Sequence, residues 1–322
     1  MKKTMWWAAA LTFAGALGAL SAVQAQEWPA GKPVKFIVAH GPGSSTDILA
    51  RIVADKLGRL EAGSFVAENK PGAGGNIASV FVKRAPADGY TILVNSVSFA
   101  VNPSLYANAG YDAIADFTPV ALGPRTPNLI AVNPATPANT LPELIELARK
   151  TRLNYASSGI GTTTHLSVER LKTAAKIDIV HVPYQPAQAV NAVVAGETQM
   201  SSTSMPPAVP QVQAGNLRAI AVTSAARSPL LPNVPSVTEF GYKEFDDYTW
   251  FGFFMPIGTP PALVERLNAH VNRIFEMDDV KETFAKLGFE TKRANAAEFA
   301  AFVRAEVPKW AAVVKSSGAK AE

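Results

Sequence analysis

The chain of 322 residues contains no cysteine. Disulfides, thiolate metal sites and a lipidated cysteine anchor are thereby excluded, so stability must come from packing. Histidine is sparse, and His40, His165, His181 and His270 are too scattered to suggest a metal cluster. Charge of one sign is not in excess. There are 30 basic and 26 acidic side chains, whereas nucleic-acid binding calls for a concentrated basic patch. No G-x-S-x-G elbow, H-E-x-x-H pair or Walker spacing occurs. The signatures of a serine hydrolase, a zinc hydrolase and a nucleotide phosphate loop are therefore missing. The glycines do not form a dinucleotide fingerprint either. No cofactor and no metal is implied, and no activated nucleophile or poised base points to an enzyme. A periplasmic hydrolase is the alternative that measured turnover would revive.

The one long apolar run stands at the start. Lys2 and Lys3 precede an uncharged stretch from Met5 to Leu20, and Val23-Gln24-Ala25 offers a cleavage site of small residues. Charge, length and ending are those of a secretory signal peptide, and the run falls short of the roughly 20 residues that span a bilayer. Residues 1–25 are expected to be removed on export, leaving 297 of the 322. That length suffices for two packed domains. Losing Lys2 and Lys3 lowers the formal charge from +4 to +2, a balance compatible with anionic ligands.

The remaining chain alternates short strands and helices. Val34 to Val38 reads as a strand, Gly41 to Ser45 as a turn, and Asp47 to Leu60 as a helix capped by Thr46. Ile48, Leu49, Ile52, Val53 and Leu57 recur there at helical spacing. Phe65 to Glu68 and Tyr90 to Val94 read as strands around a helix from Ile77 to Lys83. Residues 117–137 carry six prolines and glycines around two apolar pieces, Val120 to Leu122 and Leu129 to Val132, and read as a crossing. The alternation then repeats from Leu141 to Val222. A second irregular stretch, Ala225 to Asp247, leads to the aromatic strand Thr249 to Met255 and three closing helices. Trp250 and Phe253 cannot share a strand face, so at least one must pack elsewhere. The expected fold is α/β, with two lobes, mostly parallel sheets and hinge crossovers. Residues 26–123 and 241–322 are assigned to lobe 1, and residues 124–240 to lobe 2.

Sheets of this kind bind ligands at the carboxyl ends of their strands, where helix N-termini also point. Gly43, Ser44, Ser45 and Asp47 lie in the first such loop. They offer close backbone approach, hydroxyl donors and an acid that either complements the helix dipole or meets an ammonium group. Asn76 after the glycine cluster 72–75, and Ser96 at a strand end, add polar groups from the same lobe. In the second lobe, Ser158, Thr162, Thr163 and His165 stand in a loop of the same character, and Tyr184 follows a later strand. Each of these positions also has a plain structural reading as a turn, a cap or core packing. Hydroxyls and glycines without a nucleophile suit reversible binding.

These loops resemble the Bug family, named for Bordetella uptake proteins and also called the tripartite tricarboxylate transporter receptor family. The matching pieces run in order. They include Trp28-Pro29, Gly41 to Arg51, Val66 to Asn76, Pro86 to Leu93, Asn102 to Tyr106, Gly159 to Leu166, Val182-Pro183-Tyr184, Leu231 to Tyr242 and Trp250 to Pro260. The resemblance implies a periplasmic, monomeric Venus flytrap that captures a carboxylate and delivers it to integral-membrane transporter subunits. Loops 42–47 and 157–165 would hold opposite parts of the ligand, loops 74–76 and 95–98 would add contacts, and Tyr184 would shape the far wall. Alternatives are a receptor for an amino acid or other nitrogen-containing solute, and an orphan sensor. Three departures from the family pattern bear on specificity. Ser44 and Ser45 replace paired glycines, Gln185-Pro186 replaces a basic residue and glycine, and Gln199 stands where Asp is common.

Overall fold

The computed structural model describes residues 28–317, 319 and 321. The expected signal peptide, residues 1–25, lies outside them. The first lobe begins with β1 (Val34–Val38), flanked in parallel by β2 (Phe65–Asn69) and β3 (Thr91–Ser96). Helix α1 (Ser45–Leu60) connects β1 to β2 and buries Leu49, Val53 and Leu57, a stripe at spacing four. Ser44, not Thr46, caps it: the Ser44 hydroxyl accepts from the Asp47 N–H at 3.1 Å. Helices α2 (Asn76–Lys83) and α3 (Ser98–Leu105) flank β3 in the chain.

The crossing then differs from its sequence reading. Phe117 to Val132 form one strand, β4, despite Pro119, Pro124 and Pro127. Its register against the returning strand β9 (Tyr248–Pro256) shifts between Pro119 and Ala121 and again between Leu122 and Arg125. Irregular pairing is where a strand tolerates residues that lack an N–H. β4 pairs with β9 from Phe117 to Pro127 and with β7 (Met200–Ser204) from Asn128 to Val132. The partner changes between adjacent residues, so this strand runs from one lobe into the other.

The second lobe contains α4 (Leu141–Lys150), β5 (Leu153–Ser157), α5 (Thr163–Ala175), β6 (Ile179–Pro183), α6 (Pro186–Val194), β7, α7 (Met205–Gln213) and β8 (Arg218–Val222). Strand order through the molecule is β2-β1-β3-β9-β4-β7-β5-β6, with β8 on β4. The expected parallel pairing holds for β1, β2 and β3 and for β5, β6 and β7, whereas every pairing of β4 and β9 is antiparallel. Val237, Phe240, Tyr242 and Phe245 pack with Leu141 and Ile145 on the second lobe's core. After β9, helices α8 (Pro261–Phe275), α9 (Asp278–Leu287) and α10 (Ala296–Ser317) return to the first lobe.

Side chains alternate across each sheet and so fill a core on both faces. Phe36, Ile92 and Phe253 face the core under α1 and α8, while Ile37, Leu93 and Phe254 face the one under α3 and α10. Trp250 joins Phe254 in the latter, so Trp250 and Phe253 do occupy opposite faces. The second lobe repeats this, with Ile130 and Val132 on one side and Leu129 and Ala131 on the other.

Candidate functional site

Four helices start at one place between the lobes. Ser44 and Ser45 open α1, Thr162 and Thr163 open α5, Pro186 opens α6, and Ser204 precedes α7. All six line a common cavity with His40, Thr46, Ser96, Ser158, Thr164, Thr249 and Phe251. The first N–H groups of a helix have no partner within it, and its N-terminus carries partial positive charge. Four such ends converging make a field for an anion. No Lys, Arg, Asp or Glu lines this cavity. Burial pushes His40 down to about 4, so its ring is neutral near pH 7. Recognition here works through dipoles and hydroxyls.

The lobes touch across the cavity. The Ser45 and Ser204 hydroxyls lie 2.6 Å apart, and the Thr163 and Thr249 hydroxyls are also hydrogen-bonded. Ile160 and Leu166 of the second lobe pack on the first lobe's core. The space left is about 30 Å³, room for roughly two water molecules, so this is a closed conformation. Larger surface grooves occur elsewhere, about 510 Å³ beside Arg170 and Tyr242 and about 670 Å³ beside Arg125 and Glu290. Neither is shared by the strand-end loops of the two lobes.

Of the residues singled out in the sequence, Ser44, Ser45, Ser96, Ser158, Thr162 and Thr163 come together in the cavity. The others do not line it. Asp47 accepts from the Gly43 N–H at 3.0 Å, from Arg51 Nε at 3.0 Å and from Asn69 Nδ2 at 2.8 Å. Burial raises its pKa, but these donors outweigh that and hold it below the usual carboxylate value. With both oxygens engaged, Asp47 clamps the loop and has no free face for an ammonium group. Gly43, at φ +75°, supplies the tight turn that brings its N–H onto that carboxylate. Asn76 Oδ1 accepts from Asn102 Nδ2 at 2.7 Å. His165 stacks on His181 with ring centroids 4.3 Å apart. The Tyr184 hydroxyl donates to Glu197 at 3.3 Å on the surface.

Sequence reasoning passed over His40, Pro186, Ser204 and Thr249 as cavity residues, and reached Thr46 and Thr164 only as members of loops 42–47 and 157–165. A local signal existed for one of them. Ser201-Ser202-Thr203-Ser204 is a run of hydroxyls at a strand end just before a helix, the pattern that marked the other loops. Thr249 and Phe251 come from the returning strand, and only tertiary structure brings them here.

Among the described residues no cluster of His, Asp and Glu is placed to hold a metal ion, and no helix is long and apolar enough to cross a membrane. Residues 49–319 match the tripartite tricarboxylate transporter family receptor profile. BugT of Bordetella pertussis is 34% identical over 315 residues, 96% of each chain. Three solved structures share the fold. The periplasmic binding protein BugD is 33% identical, with a TM-score of 0.87, covering 90% of this chain and 99% of BugD. Rpa4515 of R. palustris, solved with adipate, is 34% identical, with a TM-score of 0.87 and coverages of 90% and 98%. MatC of Rhodopseudomonas palustris, solved with bound malate, is 30% identical, with a TM-score of 0.83 and coverages of 88% and 98%. Agreement of this extent, in sequence and in the two-lobe fold, shows that the chain belongs to the Bug, or tripartite tricarboxylate transporter receptor, family: it is a periplasmic solute-binding receptor.

Proposed function

We propose that the cavity captures a small organic acid and that the closed, loaded receptor presents it to integral-membrane transporter subunits. One observation carries this reading: four helix N-termini from two lobes open onto one hydroxyl-lined space without a charged side chain. Each N-terminus stabilises an anion by about 0.3–1 kcal/mol, and up to about 2 when partly buried. Four of them supply about 1–4 kcal/mol, and hydroxyl donors add to this toward the roughly 8 kcal/mol of micromolar binding. A carboxylate docked on α1 in an open form would draw α5, α6 and α7 onto its other side. Closure follows because the closed state binds the acid more tightly than the open state does. Adipate in Rpa4515 and malate in MatC support a carboxylate as the cargo. The engaged carboxylate of Asp47 argues against an amino-acid reading built on that residue.

The contacts we assign to ligand are Ser44, Ser45, Ser96, Ser158, Thr162 and Thr163, together with His40 and Ser204. We place the hinge where β4 changes partner at Pro127 and Asn128, and where the chain enters β9 at Tyr248. This keeps the lobe division close to residues 124 and 241 while leaving Tyr242 and Phe245 with lobe 2.

The test is thermal stabilisation of unfolded and refolded protein by a panel of mono- and dicarboxylates and amino acids. Ligand at 100 times Kd should add about 2.7 kcal/mol to stability. The Ser45→Ala, Thr163→Ala double variant should bind the same acid about tenfold more weakly, in line with loss of one to two neutral hydrogen bonds. A rise in Tm with amine-bearing or neutral solutes alone would overturn the carboxylate reading.

A further inference from the structure

We infer that this site selects a carboxylic acid that also carries a hydroxyl group, and that His40 and Ser158 read that hydroxyl. The inference rests on the organic-acid reading above. His40 follows β1 in the first lobe and Ser158 follows β5 in the second, and both line the cavity. Other hydroxyls there already have partners: Ser45 with Ser204, Thr163 with Thr249, Thr162 with Thr164. His40 Nε2 and Ser158 Oγ are buried and have no hydrogen-bond partner. Buried polar atoms left bare are costly, so a ligand group that satisfies both is favoured over one that satisfies neither. Because the two atoms belong to opposite lobes, one group can bond to both only after closure.

The chemistry of the pair suits a hydroxyl. The His40 ring is 5% exposed and neutral, so it offers one donor and one acceptor. Its Nδ1 meets the Thr46 hydroxyl at 3.1 Å, a partner able to give or to receive the proton. Nε2 therefore presents a donor or an acceptor according to tautomer, and the Ser158 hydroxyl is both. A carboxylate oxygen answers both only when Nε2 carries the proton. A hydroxyl both gives and accepts, and matches the pair in either tautomer. Pro186 and Phe251 are the apolar side chains of a lining otherwise made of hydroxyl-bearing residues and His40.

Malate and succinate differ by this one hydroxyl. Calorimetric titration of refolded protein should give malate a Kd at least ~10-fold below that of succinate, since a site built around a ligand hydroxyl rejects the analogue lacking it. His40→Phe keeps the ring and removes both nitrogens, and Ser158→Ala removes one oxygen. Each should erase most of the ratio by weakening malate more than succinate. Equal binding of the two acids, or a ratio that survives either substitution, overturns the inference. If only acids without a hydroxyl bind, the hydroxyl inference falls and the organic-acid reading stands. If no carboxylate binds, both fall.

Discussion

Three of the four histidines are held neutral by burial. His40 and His165 are pushed down to about 4, and His181 to about 3. Burial dominates in each case. Around His165, Glu169 opposes it and Lys172 adds to it; around His181, His165 and Lys172 add to it. His181 sits between Tyr155 and His165, with centroids 4.8 Å and 4.3 Å away, and its Nε2 meets Ser157 Oγ at 2.6 Å. Protons therefore prefer the unfolded chain, where histidine titrates near 6.5. The stability these rings contribute is complete above that value and declines as pH falls toward 4. The slope is about 1.4 kcal/mol per pH unit for each histidine within the window. Urea unfolding at pH 7.5, 6.5 and 5.5 should show a plateau and then a fall, and His181→Phe should remove one histidine's share of the slope. Constant stability down to pH 5 would contradict this. His40 makes a parallel point for binding, because affinity carried by a neutral ring stays flat from pH 8 to 6. The hydroxyls of Ser44, Ser45, Ser158, Thr162 and Thr163 were readable as cavity residues because hydroxyls in the loop ahead of a helix are a local pattern. Asp47 was readable as important, but its role as a clamp depends on Asn69, which lies 22 residues away in sequence.

At the scale of elements, one buried acid ties α10 to β9. Glu306 Oε2 accepts from both Trp250 Nε1 and Trp310 Nε1 at 2.7 Å, and Oε1 from Lys309 at 2.7 Å. Glu306→Ala leaves two buried indole N–H groups without an acceptor, and each such orphan costs about 1–3 kcal/mol. Urea denaturation should show a loss of about 2–4 kcal/mol, against about 1 for Glu306→Gln, which retains an acceptor oxygen. Equal losses would mean that the side chain acts through its charge. The same pair of elements shows where sequence reading stops. β9 was legible, because aromatic side chains on both faces require a sheet covered twice. α3 was not: Phe99, Ala100, Val101 and Leu105 are all buried, so no polar face marks a period, and Pro103 sits inside it. β4 was read as two pieces because its prolines forbid regular pairing, and only the register shifts against β9 show how one strand accommodates them.

At the scale of the molecule, closure is limited by how nearly the two backbones can approach. Gly74, in the first lobe, has φ +62°, and a Cβ built on it would stand 2.8 Å from the Ile160 carbonyl oxygen of the second. Real Cβ atoms do not tolerate that approach to a backbone atom, and Ile160 cannot retreat while its side chain packs on the first lobe's core. The contact exists only between closed lobes, so an added methyl group raises the free energy of the closed state relative to the open one. The left-handed backbone at this position burdens both states alike, by about 1 kcal/mol for a residue other than glycine. Gly74→Ala should therefore lower the Tm of the ligand-free protein by a few degrees and weaken ligand binding more, by about tenfold for each 1.4 kcal/mol added to closure. Small-angle scattering gives the second readout. At ligand concentrations that contract the parent protein, the variant should keep the larger radius of gyration and contract only at proportionately higher concentration. A variant that closes at the parent's ligand concentration would show that this seam yields, and that the limit to closure lies in the hydroxyl contacts of Ser45 with Ser204 and Thr163 with Thr249.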